Sequence, residues 1–321
     1  MGLLATARRL RERGVLGINR RNGEYVLRYN PRRLYPLVDD KLETKRLAIE
    51  HGLPTPPLYG VIRTEHDLRT LPDLLREHPD FALKPAHGAG GDGILVVTGQ
   101  RGGRFRKSNG FWLSADDIEY HVSNILSGVY SLGGQGDAAM IEYRVRFSPL
   151  FEKISFQGVP DVRIIVLRGY PIMAMARLPT RQSEGRANLH QGAIGAGIDL
   201  ASGRTLDGVW LNGRVAEHPD TDEPLAGLEI PNWEDFLLLA ARCYEITGLG
   251  YLGVDIVVDR DLGPLLLELN ARPGLNIQIA NDTGLLTRCR IVEAEPPRPP
   301  AERVALSRRV FGGAEGGPAR S

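Results

Sequence analysis

The stretch "PLLLELNARPGLNIQIAN", residues 264–281, opens as an apolar strand and then carries Glu268, Asn270 and Arg272 at alternating positions. Successive side chains of a strand point to opposite faces, so residues two apart share one face. A strand that continues through this segment therefore presents a carboxylate, an amide and a guanidinium on the same side. Charged groups are costly to bury without a partner, so this row requires an explanation.

The neighbouring segment "VDIVVDRDLGPLLLELN", residues 254–270, predicts a β-hairpin whose turn lies within residues 260–263. A turn at this place sets Asp255 opposite Glu268, with Cβ atoms about 5 Å apart. Two carboxylates this close repel each other unless a cation lies between them. With the amide oxygen of Asn270, they form a set of hard oxygen ligands suited to Mg²⁺. The alternative is a pair of solvated carboxylates on an edge hairpin, which the flanking apolar runs disfavour.

A second constellation lies in "FALKPAHGAGGDGILVV", residues 81–97, where Lys84 ends a predicted strand and a glycine-rich loop leads into another. Glycine lets backbone amides approach a phosphate closely. The loop lacks the GK[ST] ending of a P-loop, and a strand rather than a helix follows it. A flap over a triphosphate fits better, although such loops are often structural only. The loop glycines are Gly88, Gly90, Gly91 and Gly93.

Composition and charge place the chain among ordinary globular proteins of one large or two smaller domains. It has 321 residues, 42% hydrophobic content and a formal net charge of +1, so no nucleic acid partner is indicated. Its two cysteines, Cys243 and Cys289, are too few for a disulfide framework. The chain contains no apolar run of about 18 residues. These features predict a cytoplasmic protein.

The two ends of the chain differ from the middle. Residues 1–13 have apolar positions at helical spacing among several arginines, which fits either weak contact with a membrane surface or packing on the chain's own domain. Residues 289–321 are rich in Pro, Gly, Arg and Ala, and this composition predicts a disordered tail.

The middle of the chain alternates between strand and helix signals. Asp40 with Glu43 predicts a capping box at the start of a helix that Gly52 stops, and Asn232 and Gly248 bound a second helix. Tight turns such as "LRGYP" join neighbouring strands, which predicts a largely antiparallel sheet and an α+β fold. The strands are predicted at 81–84, 94–97, 139–143, 162–168, 171–177, 254–259 and 264–270.

Seven motifs in order, from about residue 36 to about residue 280, resemble the ATP-grasp superfamily of carboxylate–amine ligases. Within it, the chain is similar to the ribosomal-protein glutamate ligase family and to α-L-glutamate ligase-like proteins. An ordered series of motifs is more specific than any single motif. The motifs are "DKLETK", "FALKP" with "GAGGDGI", "MIEY", "DVRIIVLRGYPIMAMAR", "RANLHQGA", "VDIVV" and "LELNARPGL".

The resemblance implies an ATP-grasp fold of the α+β class, in which two α+β subdomains with mainly antiparallel sheets grip ATP. It divides the chain into a short N-terminal segment at 1–40, a small subdomain with the glycine-rich loop at 41–140, a large subdomain with the metal site at 141–288, and the tail at 289–321. The N-terminal domain that precedes the first lysine helix in the family is expected to be largely absent. Residues 17–40 would replace it, either by gripping an acidic substrate or by packing on the sheet as a strand and loop.

The same resemblance implies roles for single residues. Lys45 and Lys84 would bind the nucleotide phosphates, with Lys41 as a competing candidate one helical turn from Lys45. The glycine flap would cover the phosphates through Gly90, Gly91 and Gly93. The remaining nucleotide contacts would come from the hinge residues Glu142, Tyr143 and Val145 around adenine, and from Asn188 and His190 in "RANLHQGA".

For the catalytic part of the site, the resemblance implies a Mg²⁺ ion, replaceable by Mn²⁺, held by Asp255, Glu268 and Asn270. Arg163, Arg177 and Arg272 would join Lys84 in balancing charge on the phosphate or the acid substrate. For each of the first two arginines, an ordinary surface ion pair is the alternative. Gly253 occupies a position where a basic side chain would otherwise meet phosphate.

The implied activity is an ATP-dependent carboxylate–amine ligase that forms an amide through an acyl phosphate. The expected partners are an acidic small molecule or peptide and an amino acid, glutamate or a related one, with a homo-oligomer completing the pocket. Two alternatives stay open: a phosphotransferase of the same fold, and a nucleotide-binding regulatory subunit without turnover.

Overall fold

The computed structural model describes residues 8–10, 12–88, 90–131 and 133–313. Internal contacts divide the chain into two units, each described by itself. We call residues 39–146 the small unit and the described residues of 1–38 and 147–321 the large unit. Within the described residues, no helix is both long enough and apolar enough to cross a membrane.

The small unit is built on one antiparallel sheet of six strands in the order β1-β6-β2-β3-β4-β5. Its core includes Phe81, Leu83 and Ile141 from the sheet and Ile118 and Val122 from a helix. The strands are β1 (Leu58–Ile62), β2 (Phe81–Pro85), β3 (Leu95–Arg101), β4 (Arg104–Lys107), β5 (Trp112–Leu113) and β6 (Ala139–Glu142), and the helices are α1 (Lys41–Glu50), α2 (Leu71–Glu77) and α3 (Ala115–Leu126), with a 3₁₀ segment at Glu65–Thr70.

Helix α1 begins where the sequence predicts, but without the capping box. The Asp40 side chain accepts a hydrogen bond from the Leu42 amide at 2.8 Å. Glu43 instead accepts from Arg46 on the next turn, at 2.9 Å. The predicted reciprocal cap is therefore wrong, because an ion pair on the helix surface takes the carboxylate.

The large unit is built on a second antiparallel sheet, of seven strands in the order β11-β10-β9-β8-β7-β12-β13. The α+β class with mainly antiparallel sheets is thereby confirmed. The strands are β7 (Asp161–Leu167), β8 (Tyr170–Leu178), β9 (Ile194–Ile198), β10 (Thr205–Trp210), β11 (Gly213–Val215), β12 (Tyr251–Asp259) and β13 (Gly263–Asn270). The main helices are α4 (Trp233–Thr247), α5 (Leu285–Glu293) and α6 (Pro300–Phe311).

Helix α4 covers the sheet with the face that the sequence predicts. Phe236, Ala240 and Cys243 are fully buried, and the helix packs against β7, β8 and β12. Gly248 ends the helix in a left-handed conformation at φ 68°. Asn232 precedes the helix without a capping hydrogen bond from its side chain. The two cysteines, Cys243 and Cys289, are both free and buried.

The predicted disordered tail is wrong for the part that the structure describes. Helix α6 packs against β8 and α4, and it buries Val304, Leu306 and Phe311. Arg303 is buried with them and reaches the carbonyl of Arg168 at 3.1 Å. The Pro- and Gly-rich composition was misleading because it surrounds an amphipathic segment that starts at a proline, where helices tolerate it. Residues 314–321 lie outside the described part.

The N-terminal part of the large unit is helical, so a strand and loop at 17–40, one of the two alternatives that the sequence left open, is wrong. Three helical segments run without a break, Ile18–Arg20, Arg21–Val26 with π geometry, and Leu27–Tyr29. Short helical turns follow at Arg32–Leu34 and Pro36–Asp39. Most of residues 1–13, for which weak membrane contact or packing on the chain's own domain was expected, lie outside the described part, which there includes 8–10, 12 and 13.

This segment packs on the sheet through two buried polar side chains. The Arg21 guanidinium donates to the carbonyl of Pro273 at 2.7 Å. The Asn30 amide donates to the carbonyls of Tyr251 and Ala271 at 2.7 and 2.9 Å, and accepts from the Tyr251 amide at 2.9 Å. The segment thus ties the start of β12 to the chain that leaves β13.

Replacing Asn30 by Ala should therefore destabilise the protein. The change leaves one amide and two carbonyls buried without partners, and we expect a loss of about 3 kcal/mol in the free energy of unfolding. Urea unfolding followed by circular dichroism measures the difference. Asn109→Ala, in an exposed turn of the small unit, is the matched control and should shift the midpoint little; equal effects of the two changes would contradict the bridging role.

Candidate functional site

One face of the large sheet carries a row of polar side chains that crosses four neighbouring strands. Registry places Asp255 of β12 directly between Arg163 of β7 and Glu268 of β13. Arg177 of β8 is opposite Asp161 of β7. Asn270 follows Glu268 by two positions, and its amide donates to Asp255 at 3.2 Å. The six side chains therefore form one cluster, which we call the sheet cluster.

The predicted pairing of Asp255 with Glu268 is confirmed, but it depends on a β-bulge. Nearer the turn, Ile256 pairs with Leu266, so Leu267 is the extra residue. Without the bulge, Asp255 would lie opposite Leu267 and Glu268 would project from the other face. The hydrophobic pattern alone does not reveal this irregularity.

Asp255 is the centre of the sheet cluster. It is 1% exposed, and its carboxylate accepts hydrogen bonds from two guanidinium groups. Arg163 binds both oxygens, Nε to Oδ1 at 2.7 Å and Nη2 to Oδ2 at 2.6 Å. Arg177 donates to Oδ2 from Nη2 at 2.8 Å. A buried carboxylate with this many charged donors is strongly fixed in position.

Asp161 holds Arg177 from the other side. The Arg177 Nε donates to Asp161 Oδ1 at 2.5 Å, and Nη2 donates to Oδ2. Asp161 is itself buried. Arg177 therefore bridges two carboxylates, while Arg163 forks onto one. Neither arginine is the ordinary surface ion pair that the sequence left open as an alternative.

The pKa shifts in the cluster follow from burial and from these ion pairs. Burial would raise the pKa of Asp255, but Arg163 and Arg177 outweigh it and hold the pKa below its usual range. Burial raises the pKa of Asp161 against the opposing charge of Arg177. For Arg177, burial acts to lower the pKa, and the carboxylates of Asp161 and Asp255 raise it instead. Arg177 is therefore a permanent cation of the site.

The chemistry of Asp255, Glu268 and Asn270 fits a hard divalent cation, because two carboxylates and an amide oxygen share one face. Among the described residues, no group of three or more His, Cys, Asp and Glu side chains could hold a metal ion, so the amide is needed for a third ligand. Arg163 and Arg177 already share the Asp255 carboxylate. Its metal role, like those of Glu268 and Asn270, stays a prediction.

Gly253 lies next to this cluster for a steric reason. It pairs with Asn270 across the hairpin, and a Cβ at this position would lie 2.6 Å from the Cβ of Pro273. Any side chain here would displace the turn that follows β13. The missing basic residue is therefore explained by packing, and the cations of the cluster come from β7 and β8.

The other predicted site residues of the large unit are not part of the sheet cluster. The Arg272 guanidinium stacks on the Tyr35 ring, with its central carbon 4.9 Å from the ring centroid. Asn188 caps the short helical turn Leu189–Gln191 by accepting from the His190 amide at 3.0 Å. His190 is exposed. The sheet cluster is thus defined without these three residues, and their predicted roles in binding nucleotide or substrate stay predictions.

The small unit has its own buried charge cluster, at the end of β6. Glu142 lies between two lysines, with Lys45 Nζ 3.0 Å from its Oε2 and Lys84 Nζ in contact with its Oε1. Lys45 also donates to the Thr55 hydroxyl at 3.1 Å and to the Pro56 carbonyl. We call Lys45, Lys84 and Glu142 the lysine cluster. It unites two predicted phosphate ligands with the predicted adenine contact.

The lysine cluster is formed by strand registry and by one helix. Lys84 is the last residue but one of β2 and pairs with Met140 of β6, and Ala82 pairs with Glu142. Lys45 projects from α1. Burial lowers the pKa of Lys45, and the attraction of Glu142 offsets only part of that shift. A single carboxylate between two ammonium groups leaves a local excess of positive charge, which suits a phosphate ligand.

The glycine-rich loop joins β2 to β3, as predicted, and its base is anchored at several points. His87 Nδ1 is 2.8 Å from Asp137 Oδ1, and the His87 amide donates to the same carboxylate at 3.0 Å. Lys41 donates to the Gly88 carbonyl, so it contacts the loop while Lys45 lies in the lysine cluster. Burial would raise the pKa of Asp137, but hydrogen bonds from Ser131 and His87 lower it.

The loop backbone needs its glycines. Gly90, Gly91 and Gly93 all have positive φ, at 67°, 86° and 76°. A Cβ on Gly93 would lie 2.6 Å from the Tyr130 ring. Ala89, between Gly88 and Gly90, is outside the described residues. Substitution at the three glycines would therefore change the path of the loop.

The predicted hinge begins where β6 ends. The Tyr143 amide donates to the Pro57 carbonyl at 2.8 Å, and the Arg146 guanidinium lies over the Tyr143 ring at 5.9 Å. Val145 is half-buried. The adenine contacts of Glu142, Tyr143 and Val145 stay predictions.

Two residues had no role assigned from sequence: Asp161 of the sheet cluster and Asp137 at the base of the glycine-rich loop. A signal for Asp161 was present, because Asp161 and Arg177 are equally far from the tight turn "LRGYP" and should therefore pair across that hairpin. Asp137 gives no such signal, since its partner His87 is 50 residues away and the contact depends on tertiary structure.

Comparison with known proteins gives one family and several remote structures. A family model described as sugar-transfer associated ATP-grasp matches residues 20–294. No curated protein matches the chain. The similar solved structures include the ATP-grasp ligase PsnB in complex with a minimal precursor, at 17% identity and a TM-score of 0.43, over 87% of this chain and 63% of that chain.

Two further similar solved structures are a synthetase and a ligase. The D-cycloserine synthetase DcsG is 18% identical at a TM-score of 0.48, over 86% of this chain and 73% of that one. The D-alanine–D-alanine ligase of Coxiella burnetii is 12% identical at a TM-score of 0.45, over 86% of this chain and 60% of that one. The chain thus spans less than two thirds of two of these three relatives.

The family match covers most of the chain and includes both clusters and the glycine-rich loop. The predicted ATP-grasp relationship is confirmed, with sugar-transfer associated ATP-grasp as the matching family. ATP with Mg²⁺ is the cofactor pair of ATP-grasp proteins. The chain belongs to the sugar-transfer associated ATP-grasp family.

Proposed function

We propose that this protein is an ATP-dependent carboxylate–amine ligase that forms an amide bond through an acyl phosphate. The observation that carries the proposal is the registry of the large sheet, which sets Asp255 opposite Glu268 with Asn270 on the same face. These oxygens suit Mg²⁺, and two fixed arginines accompany them. Membership of the ATP-grasp family supports the same conclusion.

In the small unit, the lysine cluster and the glycine-rich loop would bind the phosphates of ATP. Lys45 and Lys84 carry two positive charges against the single charge of Glu142, so they attract an anion. The loop amides would add neutral donors, because glycine exposes them. The loop would also exclude water from a reactive acyl phosphate.

In the large unit, the sheet cluster would hold the metal and balance charge. ATP with Mg²⁺, when bound, supplies the phosphoryl group that activates a carboxylate. Glu268 and Asn270 would ligate the cation, with Asp255 as the third ligand shared with Arg163. Arg177, kept in position by Asp161, would orient the transferred phosphoryl group. Fixed charges of this kind require no rearrangement during the reaction, which favours catalysis.

For the substrates, we propose an acidic small molecule or peptide as the carboxylate and glutamate or a related amino acid as the amine. Arg272 follows the end of β13 by two residues and presents an exposed guanidinium stacked on Tyr35. A planar fork of donors suits a carboxylate. The amine is inferred from the resemblance to glutamate ligases.

The activity is tested by incubating purified protein with magnesium–ATP, a pool of amino acids and a pool of acidic peptides, and by measuring product masses. Condensation with release of ADP and phosphate supports the ligase. A mass gain of one phosphoryl group would replace it with the phosphotransferase. ATP binding without any mass change would replace it with a regulatory nucleotide-binding subunit.

Lys84→Gln should weaken the binding of a non-hydrolysable ATP analogue by about tenfold to a hundredfold, because a buried charged hydrogen bond to phosphate is lost. Calorimetric titration measures this affinity without any need for turnover. Lys153→Gln, an exposed lysine of the large unit, is the matched control. Equal affinities for the two variants would exclude Lys84 as a phosphate ligand.

Glu268→Ala should abolish ATP turnover while the fold stays intact, since a metal ligand is removed at a half-buried position. ADP release measures turnover, and thermal unfolding checks the fold. Glu217→Ala, which removes an exposed carboxylate, should leave both unchanged. Wild-type turnover in Glu268→Ala would remove the metal assignment.

Asp161→Ala, unlike Glu268→Ala, should lower the thermal stability of the protein. It leaves Arg177 buried with half of its carboxylate partners, and breaking a buried ion pair costs about 3 to 5 kcal/mol. We therefore expect a clear drop in the unfolding midpoint, which Glu268→Ala does not show. An unchanged midpoint would mean that Asp161 does not hold Arg177.

A further inference from the structure

One edge of the small unit carries positive charge and aromatic rings that neither cluster uses. We call residues 101–112 the basic hairpin. It contains Arg101, Arg104, Arg106 and Lys107, and the sequence has no Asp or Glu between Asp92 and Asp116. The whole chain has a formal net charge of only +1, so this is a strong local concentration of charge.

Strand registry places three of these charges, those of Arg101, Arg104 and Arg106, on one side of the sheet. Arg101 pairs with Arg104 across the β3–β4 turn, and Arg106 pairs with Trp112 of β5. Directly paired residues share a face. Phe105, between the two arginines of β4, is buried in the core, so Arg104 and Arg106 point outward. The outer face is therefore a continuous patch of guanidinium groups beside an indole.

The turn from β4 to β5 adds an apolar tip. The Lys107 amide closes it by donating to the Phe111 carbonyl at 2.8 Å. Phe111 is 70% exposed and Trp112 is 42% exposed. Two adjacent large aromatic side chains at the tip of a turn gain nothing from the chain's own core. Their exposure indicates contact with something outside the chain.

The aromatic tip of the basic hairpin, together with the arginines beside it, favours a lipid surface over other anionic partners. Aromatic rings bind at the membrane–water interface, and basic residues around them attract anionic headgroups. β5 is the edge of the sheet but is only two residues long, so it is a poor template for an added peptide strand.

We propose that the basic hairpin docks the protein on an anionic lipid surface, with Phe111 and Trp112 entering the interface and Arg104 and Arg106 contacting headgroups. The hairpin residues are not those of the lysine cluster, and the proposal does not depend on the ligase activity. They are also distinct from residues 1–13, for which the sequence left weak membrane contact open as one of two alternatives.

The test is cosedimentation of the full chain with vesicles. We expect binding to phosphatidylcholine vesicles that contain phosphatidylglycerol, weaker binding at high salt, and none to phosphatidylcholine alone. Trp112 is a built-in reporter, because its fluorescence should shift to the blue on binding. Trp112→Phe should bind similarly but lose that shift, which assigns the signal against Trp210 and Trp233.

Variants separate the apolar and the charged contributions. Phe111→Ser should weaken binding about tenfold or more, because the ring no longer enters the interface. Arg104→Gln and Arg106→Gln should each weaken it about fivefold. The controls are Val129→Ser, an exposed apolar residue, and Arg63→Gln with Arg69→Gln, exposed arginines, all elsewhere on the small unit.

Three outcomes would overturn the proposal. The first is no binding of the wild type to anionic vesicles. The second is binding that survives the hairpin changes but is lost in Arg8→Gln with Arg9→Gln, which would assign it to the N-terminal residues. The third is tighter binding to a duplex DNA or to an acidic peptide than to vesicles, which would identify a different class of partner. ATP-analogue affinity, unchanged in all hairpin variants, verifies that they fold.

Discussion

The large unit depends on the compensation of one buried charge, the carboxylate of Asp255. An isolated carboxylate at this depth would lose more in hydration than folding can supply. Arg163 and Arg177 replace the lost water with three charged hydrogen bonds, and Asp161 holds Arg177 in turn. The four side chains come from three neighbouring strands, so the cluster also requires the order β8-β7-β12. The proposed function and the fold are therefore coupled here. Glu268 and Asn270, on the edge strand β13, would add ligand oxygens to the proposed metal site.

Backbone details around this cluster follow from the same constraint. The bulge at Leu267 moves Glu268 onto the face of Asp255, and Gly253 makes room for Pro273 where the chain leaves β13. Arg21 and Asn30 then fix that exit through carbonyls of Pro273 and Ala271. The N-terminal helical segment thus supports the chain where it leaves β13. Its buried polar side chains are occupied with backbone groups, which favours the packing role of this segment over the gripping of a substrate.

Sequence reasoning succeeded where a property is local. The positions of seven strands, the turn within 260–263 and the α+β class follow from alternation and turn residues over short distances, whereas the pairing of Asp255 with Glu268 also depends on the bulge. It failed where tertiary contacts decide the outcome. The helix at 300–311 is marginal by composition and forms because β8 and α4 bury its apolar residues. The helical course of 18–29, and the hydrogen bond from His87 to Asp137, depend on chain segments far apart in sequence. A bulge is equally invisible, since it changes registry without changing the hydrophobic pattern.

Charge compensation also separates the two kinds of basic residue in the small unit. Lys45 and Lys84 are buried and share Glu142. Their charges are therefore part of the core, and a ligand could contact them only from the solvent-facing side of the lysine cluster. The arginines of the basic hairpin project from the outer face of an edge, with no acidic residue in their own stretch of sequence. Their charge contributes nothing to packing, and the aromatic tip beside them reduces solubility. A surface that combines concentrated positive charge with exposed aromatic rings is best explained by a binding partner that neutralises the charge and buries the rings.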